Sequence, residues 1–169
     1  MPILATDTYY YDTHALCAFI SFEWDSEQPE KVYTSEIKNV AEYIPGQFYK
    51  RELPCILECL KQIDLSQVEA IVIDGHVFVD NDNAPGLGAY LYEALEKRVP
   101  VIGVAKTAFA KNKQNTIEVL RGNSKNPLYV SSVGIDAQLA ASYIKEMKGA
   151  FRIPTLLKEL DKLSRSYHK

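Results

Sequence analysis

The sequence predicts an α/β fold: a mixed β-sheet, antiparallel over its first three strands and then parallel, flanked by helices. Three observations lead there. The first forty residues are rich in strand formers and broken only by short turn segments. From residue 47 the apolar residues fall at helical spacing. Thereafter short apolar runs alternate with helical stretches, the pattern of parallel strands joined by crossovers.

The elements follow in order. Residues 2–12 are apolar and then aromatic, ending in Tyr9-Tyr10-Tyr11. Residues 15–24 and 31–38 are the next two strands, with Asp12-Thr13-His14 and residues 25–29 as turn material. Connections this short join antiparallel neighbours, so a three-stranded meander is expected. Residues 47–63 carry Phe48, Leu53, Ile56, Leu57, Leu60 and Ile63 on one helical face. Residues 69–74 form a buried strand, residues 86–98 a helix, and Val101 to Ala105 another buried strand. A strand pair is expected over Thr116–Leu120 and Leu128–Ser132, turning at Gly122-Asn123. Helices over 136–148 and 154–166 finish the chain. No repeat, linker or low-complexity segment divides it, so residues 1–169 are expected to form one domain.

Composition sets the outer limits. Apolar residues make up 47% of the chain, ordinary for a globular protein. Lys and Arg number 19 against 22 Asp and Glu, a net charge of −3. That balance argues against a tight, non-specific DNA binder, although local patches still permit an enzyme that touches a few nucleotides. Three cysteines without framework spacing point to a reducing compartment. Cys55 and Cys59 read as small buried hydrophobes, because soft-metal partners are not nearby. With neither a secretory leader nor an apolar run near the ~20 residues of a membrane span, a soluble, cytoplasmic protein is expected.

Two apolar runs end in carboxylates. Residues 2–7 close on Asp7, and Ala70-Ile-Val-Ile-Asp74 closes on Asp74 before Gly75 and His76. Charge is thereby placed at the rim of a sheet, where open α/β folds bind ligands. Glu52 stands early in the first helix and completes a candidate trio. Oxygen-only ligands favour a hard cation such as Mg²⁺, which in proteins commonly serves phosphate chemistry. The competing reading makes the three an N-cap, a turn residue and a surface acid. Asp12 fits a turn.

Several pieces in order resemble the endonuclease V family, metal-dependent nucleases with an RNase H-like fold. They are Asp7, Tyr43-Ile-Pro-Gly46, Arg51-Glu52-Leu-Pro54, Asp74-Gly-His76, Gly86-Leu87 and Gly103-Val-Ala-Lys106-Thr107. The resemblance implies a Mg²⁺-dependent endonuclease, with Mn²⁺ able to substitute. It would nick DNA or RNA near inosine and leave a 3′-hydroxyl and a 5′-phosphate. Asp7, Glu52 and Asp74 would hold the metal, and Lys106 would join them as a phosphate contact. Tyr43, Ile44, Pro45 and Gly46 resemble a wedge that fills the stack when a base leaves it. Gly75 would line the pocket for the flipped base, with His76 beside it either as a structural histidine or as part of the site. The implied partner is inosine-containing nucleic acid, the implied state a monomer, and no membrane is involved.

Two departures stand out. After Asp74-Gly-His76 the segment through Pro85 carries Asp80 and Asp82, which would repel phosphate unless they too bind metal. Near the penultimate helix, Ile135 stands where the family has a histidine, and Asp136 is either a ligand or, preferably, the helix N-cap. The last helix has an apolar face (Leu156, Leu157, Leu160, Leu163) and a basic one (Lys158, Lys162, Arg165), which fits packing with a solvated side. The alternatives to an inosine nuclease are therefore a catalytically impaired nucleic-acid binder and a nuclease of altered substrate choice.

Overall fold

The structure, a computed structural model, describes residues 1–38, 48–109 and 112–166. Its centre is a seven-stranded mixed sheet in the order β3-β2-β1-β4-β5-β7-β6. β1 (Ile3–Tyr10), β2 (His14–Phe22) and β3 (Lys31–Lys38) form the expected antiparallel meander. The β1–β2 turn is closed by Tyr11 N–H donating to His14 O at 2.8 Å.

α1 (Phe48–Leu60) then crosses over to β4 (Ala70–Asp74), which lies parallel to β1. α2 (Leu87–Ala94) leads to β5 (Val101–Ala105), parallel to β4. β6 (Ile117–Val119) and β7 (Leu128–Val133) form the ribbon, and β7 is the strand that pairs with β5, antiparallel. α3 (Ala137–Glu146) and α4 (Thr155–Ser166) close the chain.

The sheet is buried on both faces, so its central strands are almost wholly apolar. Leu4, Phe19, Ile71, Ile73 and Val101 pack beneath α1 and α2 with Ile56, Cys59 and Leu91. Ile3, Ile20, Val72, Ile102 and Val130 pack against Ile144, Leu156 and Leu160 of α3 and α4. Each such side chain contributes roughly 1.5–3 kcal/mol on burial, which fixes both helix layers to the sheet.

Helix ends differ from the sequence reading where local backbone decides them. α2 stops at Ala94 rather than 98 because Glu96 and Lys97 adopt left-handed φ of 57° and 59°, and Lys97 N–H turns back to Tyr92 O. α1 unwinds after Leu60 into a turn, followed by a short 3₁₀ segment (Leu65–Gln67) capped by the Asp64 carboxylate. Among the described residues no helix is long and apolar enough to cross a membrane.

Candidate active site

The parallel strands β1, β4 and β5 end on the same rim of the sheet, and the chemistry collects there. Side chains alternate along β1. Ile3, Ala5 and Asp7 therefore face α4, while Leu4, Thr8 and Tyr10 face α1. Asp7 Oδ2 accepts from Ser164 Oγ of α4 at 2.8 Å. Glu52 comes from α1 on the other side and is 8% exposed. Its neighbour Arg51 lies over the Tyr10 ring, 3.6 Å from the centroid. Asp74 ends β4 at the open lip. Asp161 descends from α4 and is held by Arg165 Nε at 3.1 Å. These four carboxylates and Lys106 line one cleft of about 270 Å³.

Crowding acid groups in a partly dry cleft disfavours their charged forms. The Asp7 pKa is pushed up to about 7 by burial, and the charges of Asp74 and Asp161 add to the rise against the Ser164 hydrogen bond and Lys106. Glu52 is likewise pushed up to about 7 by burial, with Asp7 and Asp74 adding to it. The Tyr10 and Thr8 hydroxyls lower the Glu52 value, yet neither makes a hydrogen bond of good geometry, and both are buried. Asp74 is raised too, by desolvation first and by Asp161, with Lys106 opposing.

Among the described residues no three Asp, Glu, His or Cys side chains close tightly enough to enclose a metal ion. The cleft is open, its candidate donor atoms are carboxylate and hydroxyl oxygens, and the Thr8 and Tyr10 hydroxyls in it have no hydrogen-bond partner of good geometry. Oxygen donors are the kind that hard cations take.

A larger pocket of about 560 Å³ adjoins the cleft, lined by Tyr49, Gly75, His76, Leu87, Phe109 and, shared with the cleft, Lys106. Tyr49 stacks on Tyr90 with centroids 3.8 Å apart. His76 donates from Nε2 to Thr107 O at 2.9 Å and lies tilted against Phe109 at 4.4 Å. Burial lowers the His76 pKa, with the Thr107 bond opposing. Gly75 has φ of 150° and donates its N–H to Val104 O. Its carbonyl rests on Gly103, where a Cβ would come within 2.5 Å of that oxygen. Two glycines thus let the backbone itself form this edge of the pocket.

The structure brings together Asp7, Glu52, Asp74 and Lys106, and it places Gly75 and His76 in the neighbouring pocket. Tyr43, Ile44, Pro45 and Gly46 lie outside the described residues. Asp136 is the N-cap of α3, accepting from Leu139 N–H at 3.1 Å, and Ile135 packs on the core. Asp80 Oδ1 accepts from the N–H groups of Asp82 and Ala84, closing a turn. None of Asp80, Asp82, Ile135 and Asp136 lines the carboxylate cleft.

Asp161 and Ser164 escaped the sequence reading. Their signal was present: Leu157, Leu160, Asp161 and Ser164 share the spacing of one helix face, so the polar pair sits on the packed stripe. Arg152 was missed as well. Its Nη2 donates to Lys106 O at 2.6 Å and to Pro127 O at 2.8 Å, anchoring the segment that carries Lys106.

Residues 3–162 match the sequence model of the endonuclease V family. The same fold occurs in Ciona intestinalis endonuclease V in complex with a 24mer DNA containing an inosine followed by a ribo-adenosine. That match has a TM-score of 0.80 at 19% identity, over 98% of this chain and 84% of the other. The catalytic domain of human endonuclease V gives a TM-score of 0.79 at 20% identity, over 98% and 81%. The Bacillus subtilis endonuclease V gives 0.75 at 18% identity, over 98% and 78%. No curated protein sequence matches the chain.

Proposed function

Because the chain belongs to the endonuclease V family, we propose that it is a divalent-metal-dependent endonuclease that cuts one strand of DNA or RNA near inosine. The observation that carries this reading is the convergence of Asp7, Glu52, Asp74 and Asp161 with Lys106 on one rim cleft beside a roomy pocket. Asp7, Glu52 and Asp74 would hold Mg²⁺ or Mn²⁺, with Asp161 as a fourth acid at the same cleft. When bound, the ion lowers the pKa of a water and offsets charge on the phosphate.

The chain's own residues supply the rest. Ser164 orients Asp7, and Arg165 orients Asp161. Lys106 presents a positive charge to the scissile phosphate from the wall shared with the pocket. Gly75 offers backbone to an extruded hypoxanthine, between the Tyr49 and His76–Phe109 walls. Tyr43, Ile44, Pro45 and Gly46 remain the segment proposed to fill the vacated stack. Neither departure from the family pattern removes one of these carboxylates, since Ile135 and the Asp80–Asp82 turn do not line their cleft.

The test is cleavage of a single-inosine oligonucleotide, as DNA and as RNA, with Mg²⁺ or Mn²⁺, by wild type and Asp74→Ala. Metal-dependent cutting that disappears in the variant supports the reading. Folded wild-type protein that cuts neither strand removes it and favours an impaired binder or a different substrate.

A further inference from the structure

Lys106 stands one residue past the β5–β7 ladder, which closes on Ala105 and Tyr129. On the β7 side Pro127 has no N–H with which to extend that ladder. The missing donor comes from a third element, because Arg152 Nη2 serves both Lys106 O and Pro127 O. One nitrogen thus ties the exposed lysine to the start of β7, while His76 holds the next carbonyl, Thr107 O.

Arg152 is itself held. The connection between α3 and α4 wraps the guanidinium of Arg121, a residue only 5% exposed. Arg121 donates to the carbonyl oxygens of Lys145, Met147, Gly149, Phe151 and Arg152. Five carbonyls thereby meet the five N–H groups of one arginine. Among the described residues no acid pairs with Arg121 or Arg152. The connection cannot leave Arg121 without stranding a buried cation, which is costly.

We propose that Arg152 is the positioning residue of Lys106, acting on the scissile phosphate only through the lysine whose backbone it holds, with Arg121 fixing Arg152 in turn. The proposal rests on the nuclease reading above. Arg152 lines neither the carboxylate cleft nor the large pocket, whereas Lys106 lines both. The lysine's charge reaches Asp7 and Asp74, so a displaced backbone at 106 moves a cation that faces both acids.

The experiment is a double-mutant cycle on a single-inosine strand with Mg²⁺ or Mn²⁺. Single-turnover rates, the salt dependence of Kd and melting temperatures are measured for wild type, Arg152→Ala, Arg152→Lys, Lys106→Ala and the two double variants. Arg152→Ala should cut roughly ten- to a hundred-fold more slowly, as expected for a misplaced group at the reacting centre. Arg152→Lys keeps a donor and should recover part of the rate. With Lys106→Ala already present, Arg152→Ala should cost no further rate, although it still lowers Tm. Losses that multiply in the double variant overturn the positioning role, and so does a wild-type rate in either single alanine variant. A salt slope that falls by about one charge when Arg152 is removed from Lys106→Ala marks a direct phosphate contact and also overturns it. If Arg152→Ala does not fold, the cycle runs with Arg152→Lys, whose deficit must vanish once Lys106 is gone. Folded wild-type protein that cuts no inosine strand fails the nuclease reading itself, before any substitution at 152, and takes the positioning role with it.

Discussion

Ser164 Oγ lies 2.8 Å from Asp7 Oδ2 and 2.9 Å from the carbonyl oxygen of Asp161, so one buried hydroxyl joins the first strand to the last helix. It has a single proton for two acceptors, and ionised Asp7 is the stronger one. Ser164→Ala removes that donor and the restraint on the Asp7 rotamer. Stability should fall by about 1 kcal/mol. The Asp7 pKa, which this bond lowers, should rise. The acidic limb of the pH–rate profile therefore moves to higher pH, a shift that loss of packing alone would not produce. Ser164→Thr should restore part of both.

Asp161 and Asp136 make a controlled pair, two aspartates near the start of one helix and within another. Asp161 borders the cleft and raises Asp7 and Asp74, whereas Asp136 only caps α3. Asp161→Asn should reduce cleavage by roughly two orders of magnitude or more at saturating metal, within the range ascribed to positioned electrostatic groups. Asp136→Ala should lower stability by about 1 kcal/mol and leave the cleavage rate unchanged. Single-turnover assays and thermal melts on both variants separate the two roles.

Stability should depend on pH in a direction set by the raised acids. Asp7 and Glu52 titrate near 7 in the fold, against 3.8 and 4.5 as ordinary values. Between these limits the unfolded chain loses protons that the native state keeps. The metal-free protein is therefore most stable below about pH 4 as far as these two groups are concerned, and it loses stability as pH rises towards 7. Mg²⁺ or Mn²⁺ binds the deprotonated form, so it should raise Tm more at pH 8 than at pH 5.5. Asp7→Asn should raise Tm without metal at pH 8 and abolish most of the metal-induced gain. Differential scanning fluorimetry across pH with and without metal decides it; a metal-free Tm that climbs from pH 5 to 7 contradicts the argument.

Much of the fold could be read from local pattern because the sheet is buried on both sides. Runs such as Ala70–Ile73 have no polar side to confuse them, and the two that end in Asp7 and Asp74 carried the site with them. Where backbone geometry decides, pattern failed: nothing in the amphipathic run through Arg98 announces left-handed Glu96 and Lys97. Asp161 was hidden for a different reason. Lys158, Lys162 and Arg165 give α4 a solvated character, and the contact that places its polar stripe on β1 joins residues 157 apart in sequence. Local spacing marks the stripe that Asp161 and Ser164 share with Leu157 and Leu160, but it cannot encode which strand that stripe docks on. The resemblance to a known family supplied the role of Glu52, whose burial beside Asp7 and Asp74 no helical wheel would single out.

Gly103→Ala tests whether the pocket edge depends on close backbone approach. A Cβ at 103 would stand 2.5 Å from Gly75 O and 2.8 Å from Ser131 Oγ. Neither neighbour can yield cheaply: Gly75 is held by its N–H to Val104 O, and Ser131 Oγ accepts from Val77 N–H at 3.0 Å. Overpacking of this kind costs about 1–3 kcal/mol, a fall in Tm of roughly 5 °C for a chain of this size. The displaced group is the Gly75 backbone, which lies in the pocket wall, while Asp7 and Glu52 stand on other elements. KM for an inosine strand should therefore rise more than kcat falls. An equal loss in both would mean that Gly75 moves Asp74 with it, and an unchanged KM would remove Gly75 from the pocket.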